Sequence, residues 1–192
     1  MDHAEATTRA LDAAEELFYE RGVQAVGMDA VRAACGVSLK RLYQCFPSKD
    51  ELVAAYLRRR DQRWRANLAS VVEQRTEPAD RLAGVFDWLY DWFSEPGFRG
   101  CAFINSFGEL GTTSPAVAVI AREHKEELKR YVARLVRRLP VDHPARVTEQ
   151  LFLLIEGAIV TAAITGNPDS ARHARAAAEA ILAAHYSNGR PT

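Results

Sequence analysis

The chain has 192 residues, and its 25 Lys and Arg residues balance 25 Asp and Glu residues, so the formal net charge is zero. With 48% hydrophobic and 26% charged residues, the composition excludes an intrinsically disordered chain, and the length suits one compact domain or two small ones. The neutral total argues neither for nor against a nucleic-acid partner. Between residues 30 and 65, however, there are nine basic residues and only three acidic ones, so this segment is locally basic.

The cysteines and the N-terminal residues predict a cytoplasmic protein. Three cysteines without a close pair spacing favour a reducing compartment and argue against a disulfide framework. The N-terminus carries acidic residues where a signal peptide needs a basic start. The most apolar stretch, residues 151–164, is interrupted by Glu156 and Thr161. We expect it to be too short and too polar to cross a bilayer, and we expect no membrane partner.

Helical periodicity recurs along the whole chain, whereas sustained apolar/polar alternation is absent, and this predicts an all-α fold. Gly and Pro residues mark where the helices end. The predicted helices cover residues 5–21, 29–35, 39–46, 49–74, one that starts at Pro78 and stops before the Glu95-Pro96-Gly97 break, 100–110, 116–139, 146–165 and 169–186.

Two short helices stand close together in the stretch "ACGVSLKRLYQCFPSKDEL", residues 34–52. Gly36 ends the helix 29–35, in which we expect Val31 and Ala34 to face inward. Ser38 is suited to cap the helix 39–46, and Pro47 stops that helix. The pair of Ser48 and Glu51, three residues apart, reads as a capping box for the long helix that follows.

A helix, a tight glycine turn and a second short helix form a helix-turn-helix, whose second member lies in the DNA major groove. Leu42 and Phe46, four residues apart, would hold the second helix on the core. Its polar side chains would then point outward. There, Lys and Arg can bind phosphates or guanine edges, and Gln can form hydrogen bonds with adenine. Lys49 starts the next helix, whose positive end favours a phosphate. The predicted DNA-binding residues are Ser38, Lys40, Arg41, Tyr43, Gln44 and Lys49.

The segment "GVSLKRLYQCFPSKDEL" strongly resembles the signature of the TetR (tetracycline-repressor-like) transcriptional regulators. The motif similarity covers about residues 10–55, and beyond it the resemblance lies in length and helix layout. The resemblance implies a three-helix helix-turn-helix domain at residues 1–48, linked by the helix 49–74 to an effector-binding and dimerisation domain at residues 75–192. It also implies a dimeric repressor that binds a palindromic operator and is released by a small molecule.

The chain departs from the family pattern at several positions of the motif. Val26-Gly27 stands where the family usually has Thr-Thr, so the phosphate contact of the second threonine is missing. Lys40-Arg41 stands where Gly-Thr or Gly-Ser is frequent, and Cys45 replaces a frequent His or Tyr. These changes leave the docking mode unaltered, but they leave the operator sequence open.

The C-terminal helices are rich in aromatic residues, which usually form a core but can also enclose a ligand cavity. Such a lining favours an apolar or aromatic effector. Asn105 and Glu109 are weaker candidates for lining the pocket. The candidate pocket residues are Phe86, Trp92, Phe103, Phe107, His124, Tyr131 and Glu156.

The helix 146–165 is apolar on nearly all sides and the helix 169–186 is rich in Ala, so these two are the candidate dimer surface. The candidate interface residues are Leu151, Ile155, Ile159, Ala174, Ala178, Ile181 and Leu182.

Enzymatic activity is not expected, because neither a Gly-rich phosphate loop nor a Ser-His-Asp order stands out. Glu123, His124 and Glu127 lie near one another, but the paired Glu-x-x-His spacing of a di-iron bundle is missing, so we expect neither a metal nor a cofactor. Two alternatives stay open. One is a regulator that activates or has no small-molecule ligand; the other is a helical ligand-binding or protein-interaction module that has lost DNA binding.

Overall fold

The computed structural model describes residues 2–186, and the backbone of that part of the chain is helical apart from turns and one isolated bridge between Val141 and Tyr186. This confirms the all-α fold. The helix bounds agree with the predicted ones to within three residues. The helices are α1 (His3–Arg21), α2 (Met28–Cys35), α3 (Leu39–Cys45), α4 (Lys49–Val72), α5 (Pro78–Phe93), α6 (Ala102–Leu110), α7 (Pro115–Val136), α8 (Pro144–Thr165) and α9 (Ser170–His185).

Local capping chemistry explains several of the helix ends. The side chain of Asp2 accepts a hydrogen bond from the N–H of Glu5 at 2.8 Å and so caps α1. Pro78 and Pro144 occupy the first turns of α5 and α8, where the missing N–H costs nothing. The sequence prediction began α8 two residues late because it treated Pro144 as part of the connection.

The chain forms two compact units that do not follow the linear order of the sequence. Unit 1 contains residues 1–64 and 101–124, and unit 2 contains residues 65–100 and 125–192. The helices α4 and α7 each continue from one unit into the other. The predicted division into a DNA-binding and an effector-binding part concerns roles and stays a prediction.

In unit 1, α1 packs against α2 and α3, and charged side chains tie it to α4. The carboxylate of Glu15 in α1 forms salt bridges with the guanidinium groups of Arg59 at 2.7 Å and Arg60 at 3.2 Å. The guanidinium of Arg59 also forms one with the carboxylate of Asp12 at 2.8 Å. Burial raises the pKa of Tyr56, whose ring lies edge-on to Phe18. Two members of the Arg58–Arg60 run are therefore used inside the unit, which the sequence did not reveal.

The inward face of α2 differs from the predicted one. Val31 and Cys35 are buried, whereas Ala34 is exposed. The expectation for Ala34 was wrong because the buried stripe of this short helix follows the spacing i, i+4 and not i, i+3.

In unit 2, α5 packs against α8 and α9. The rings of Trp88, Trp92, Phe93 and Phe98 cluster with centroid distances of 5.0–5.8 Å. The indole Nε1 of Trp88 donates to Asn67 at 2.6 Å, which satisfies its polar group. This part of the aromatic content therefore builds a core.

Within the described residues, α8 is the helix that is long and apolar enough, by length and composition alone, to cross a membrane. The expectation that this stretch is too short and too polar is corrected, because the helix extends over 22 residues from Pro144 to Thr165. Its inner face, which includes Val147, Leu151 and Ile155, is buried against its neighbours in unit 2. That is the arrangement of a core helix.

Candidate nucleic-acid interface

The corner between α2 and α3 rests on Gly36. This residue adopts the left-handed conformation with φ 66° and ψ 17°, and its N–H donates to the carbonyl of Arg32 at 3.1 Å. Ser38 then caps α3, since its Oγ accepts a hydrogen bond from the N–H of Arg41 at 3.3 Å. The turn is therefore set by backbone conformation and by one side-chain cap.

The inner face of α3 is apolar and fully used. Leu42 and Phe46 are buried, as is Val37 in the turn. Leu42 of α3 and Phe46, which directly follows the helix, are four residues apart, so both lie on the side of α3 that faces α1 and α2. This anchoring leaves the opposite face of α3 free, as the sequence predicts.

The outer face of α3 presents polar side chains to solvent. Lys40, Tyr43 and Gln44 are exposed, and Arg41 is half-buried. Arg41 Nη1 donates to Gln44 Oε1 at 3.2 Å, so these two side chains are paired along one side of the helix. They lie beside a cleft of about 430 Å³ that is lined by Gly36, Val37, Ser38, Lys40, Arg41 and Gln44.

These groups are the donors and acceptors that a DNA duplex can engage. The guanidinium of Arg41 and the ammonium of Lys40 suit phosphates or guanine edges, and the Tyr43 hydroxyl suits a phosphate. The pairing with Arg41 uses one lone pair of the Gln44 carbonyl oxygen and leaves both amide N–H donors of Gln44 available. The side chains of this one short helix are therefore suited to hydrogen-bond both base edges and the phosphates of a DNA backbone.

Lys49 and Ser38 complete the predicted set at the two flanks of α3. Lys49 is the first residue of α4 and is half-buried, beside the positive end of that helix. Ser48 accepts a hydrogen bond from the N–H of Glu51 at 3.2 Å, which is one half of the predicted capping box. The structure thus brings the predicted residues to one region of unit 1.

The cysteines occupy three different environments. Cys35 and Cys101 are buried, in agreement with a packing role. Cys45 is half-buried at the end of α3, and its Sγ lies 3.7 Å from Nδ1 of His3.

The candidate effector residues fall into both units. In unit 1, Phe103 and His124 are buried and their rings stack at 3.7 Å with an interplanar angle of 12°. Nδ1 of His124 lies 2.7 Å from Oδ1 of Asp61. Phe107, by contrast, has 53% of its surface exposed, so it does not line an enclosed cavity in this state.

In unit 2, Phe86, Trp92 and Tyr131 are buried, and Glu156 is half-buried. Lys125 Nζ donates to Glu156 Oε2 at 2.6 Å. Among the described residues, the Tyr131 hydroxyl and Glu156 Oε1 are buried without a hydrogen-bond partner. Burial also raises the pKa of Tyr131. Unpartnered buried polar atoms are costly, and among the described residues Gln150 Oε1 and Arg59 Nε are in the same state.

The candidate dimer residues need revision. Five of them are buried inside unit 2, where α8 and α9 pack together, and so are not available to a partner: Leu151, Ile155, Ile159, Ala174 and Ala178. Ile181 and Leu182 are partly exposed. The sequence missed the exposed side of α8, because a helix that is apolar all round does not show which side faces solvent.

The apolar side chains that do face solvent lie elsewhere on α8. Leu153, Val160 and Ile164 are 67%, 38% and 79% exposed. Their separations of seven and four residues put them on one side of the helix. This exposed face of α8 (Leu153, Val160 and Ile164) is an apolar surface that faces solvent in the single chain.

Two family models match the chain. One, described as "Bacterial regulatory proteins, tetR family", covers residues 10–56. The other, described as "Tetracyclin repressor-like, C-terminal domain", covers residues 78–178, which is more than half of the chain.

Among curated proteins, the chain is 38% identical over 77 residues to the uncharacterized HTH-type transcriptional regulator Rv1255c of Mycobacterium tuberculosis, which covers 40% of this chain and 38% of that protein. It is 33% identical over 128 residues to the HTH-type transcriptional activator FasR of Mycolicibacterium smegmatis, which covers 67% of this chain and 57% of that protein. The matches therefore span less than two thirds of these relatives. Among solved structures, SCO4454, a TetR-family transcriptional regulator from Streptomyces coelicolor, superposes with a TM-score of 0.87 at 27% identity, covering 95% of this chain and 96% of that one.

A matched pair of substitutions tests the corner before α3. Gly36→Ser should lower the free energy of unfolding by about 1–2 kcal/mol, because a side chain at φ 66° is strained. Gly27→Ser should change it by less than about 0.5 kcal/mol, since φ is −87° there and the added hydroxyl can cap α2. Denaturant unfolding at one protein concentration measures both, and equal effects would contradict the assigned role of Gly36.

Proposed function

The chain belongs to the TetR family of bacterial regulatory proteins, and on that premise we propose that it regulates transcription by binding duplex DNA as a dimer through α3. The observation that supports this most is the two-faced character of α3. Leu42 and Phe46 hold its inner side, while Lys40, Tyr43 and Gln44 face solvent. Membership of a family of regulatory proteins agrees with the prediction that the chain is not an enzyme.

The polar side chains of α3 and the packing of its inner side support the proposed DNA contact. An α-helix fits the major groove, and a helix whose inner side is packed on a core enters the groove as a rigid body. Lys49 and Tyr43 are suited to phosphates, which fix the register of the protein on the duplex. Arg41 and Gln44, paired at 3.2 Å, are the residues that we assign to base edges.

A dimer is proposed because one short helix reads only a few base pairs. A two-fold axis supplies a second copy of α3, and the operator is then palindromic with half-sites one helical turn or a close multiple apart. The exposed face of α8 is the proposed contact between the two copies, since it leaves three large apolar side chains in water.

A small apolar or aromatic effector is proposed for the C-terminal helices. The buried Tyr131 hydroxyl and Glu156 Oε1 would supply its polar contacts. The effector releases DNA only if it binds the DNA-incompetent form better, and about 2.7 kcal/mol of differential affinity weakens DNA binding about 100-fold. We propose that the protein is a repressor in the cytoplasm with no membrane partner. Because the relative FasR is named an activator, a transcription assay is needed to distinguish repression from activation.

A second candidate is a helical ligand-binding or protein-interaction module that no longer binds DNA. Gly27 favours it, because α2 has no side-chain cap and the usual threonine is missing, and so does Cys45, which replaces a frequent His or Tyr. A folded dimer that selects no duplex from a random-sequence library, and gives no salt-sensitive band in a gel shift, would support this candidate against the first.

The DNA contacts are tested on a duplex that the wild-type protein selects from a random library. Arg41→Ala should raise Kd about 5- to 100-fold, the range for a base contact, and Tyr43→Phe about 2- to 10-fold for one lost hydrogen bond. Arg58→Ala removes the same charge from an exposed position and should change Kd less than about 3-fold. Fluorescence anisotropy against salt measures all three; equal effects of the two Arg variants would contradict the assignment.

The dimer surface is tested by charge. Ile164→Glu places a carboxylate in the proposed contact and should convert the dimer to a monomer at the same concentration. Val119→Glu, at an exposed apolar residue of α7, should leave the dimer intact. Analytical ultracentrifugation measures the oligomeric state of both variants. If the Ile164→Glu variant stays dimeric, the interface does not lie on the exposed face of α8.

The effector site is tested by removing one oxygen. Tyr131→Phe should keep or raise the stability of the free protein by about 1 kcal/mol, because it deletes an unpartnered buried hydroxyl. Compounds that raise the Tm of the wild type should raise that of Tyr131→Phe less, with Tyr90→Phe as the control. Compounds that shift all three proteins equally would exclude Tyr131 from the site.

A further inference from the structure

The helix α6 falls in the C-terminal family match, yet it belongs to unit 1 together with the helices of the N-terminal match. Its last turn contacts the loop between α1 and α2. From these contacts we infer that Glu109 is a positioning residue for DNA binding, which fixes the loop of residues 22–26 (the entry loop) and thereby sets the helix-turn-helix. The inference rests on the proposed function.

Glu109 and Gln24 form a reciprocal pair of hydrogen bonds. The backbone N–H of Gln24 donates to Glu109 Oε2 at 2.7 Å, and Gln24 Nε2 donates to the backbone carbonyl of Glu109 at 2.6 Å. Bonds to an ionised carboxylate are about twice as strong as neutral ones. Because one of these bonds engages the main chain of the entry loop, Glu109 constrains the path of the loop and not just a side chain.

Gly22 brings the backbone of the entry loop against the same carboxylate. It ends α1 with φ 86°, and its N–H donates a hydrogen bond to the backbone carbonyl of Phe18 at 3.0 Å. A Cβ at this position would lie 3.0 Å from Glu109 Oε1, so the carboxylate would have to shift slightly to make room for a side chain there. Gly22 thus meets two demands at once, the positive φ and the close approach of Glu109.

The entry loop is firmly connected to the core on its other side. Val23 and Val26 are buried, and Gly27, which directly follows the loop, is the residue before α2. A shift of this loop therefore moves the start of α2, against which α3 is packed. Glu109 acts on DNA binding through this route and does not touch the duplex.

The start of α6 is held as well. Phe103 stacks on His124 of α7 at 3.7 Å, and His124 bonds Asp61 of α4 at 2.7 Å. Within unit 1, α6 therefore spans from α4 and α7 at one end to the entry loop at the other. The carboxylate of Glu109, a lesser effector candidate from the sequence, is engaged in this link.

The experiment compares Glu109→Ala with Glu123→Ala, which removes the same charge at an exposed position of unit 1. Three quantities are measured: amide hydrogen exchange of residues 22–26, Kd for the duplex selected by the wild type, and Tm. Glu109→Ala should speed exchange at Gln24 about 10-fold and raise Kd about 3- to 10-fold with an unchanged salt slope, the scale of one lost hydrogen bond. Glu109→Gln keeps an acceptor oxygen and should recover most of the affinity.

The outcomes separate the inference from the function on which it rests. A wild-type protein that binds the duplex while Glu109→Ala matches Glu123→Ala in exchange and Kd overturns the inference alone. So does faster exchange throughout unit 1 with a lower Tm, because that indicates a general structural role. If the wild type selects no duplex, the proposed function fails and the role of Glu109 in DNA binding fails with it.

Discussion

The left-handed turn at Gly36 is the constraint on which the proposed interface depends. It lets α2 end and α3 begin within a few residues, so that Leu42 and Phe46 reach the core while the opposite side of α3 stays free. A residue with a Cβ in that conformation pays about 1–2 kcal/mol, which explains a glycine at this corner. Without the turn, the polar side chains of α3 would have no fixed direction in which to project.

A second constraint acts on the helices around this corner. Glu15 binds Arg59 and Arg60 of α4, and Glu109 binds the entry loop. Both links lie inside unit 1, which joins the first helices of the chain to α6 and the beginning of α7. A change in α4 or α6 therefore has a direct physical route to the helix-turn-helix.

The sequence predicted the helices and the outward residues of α3 well, because capping residues, glycines and prolines act locally. It failed where the answer depends on packing between distant elements. The buried side of α8 cannot be identified in the sequence of a helix that is apolar all round, so Leu151 and Ile155, which the sequence predicts at the dimer interface, are instead buried inside unit 2. Nor does any local pattern show that Glu109 meets Gln24, since the two lie far apart along the chain.

The central claim, that the outer face of α3 reads base edges, is tested most directly by measuring binding to every single-base variant of the selected duplex. For Arg41→Ala, discrimination should be lost at one base-pair position, repeated symmetrically in each half-site, while it persists at the other positions. A variant that binds all duplexes more weakly by the same factor would show that Arg41 contacts only phosphates. An unchanged profile and affinity for Arg41→Ala and Gln44→Ala together would contradict the claim that α3 enters the groove.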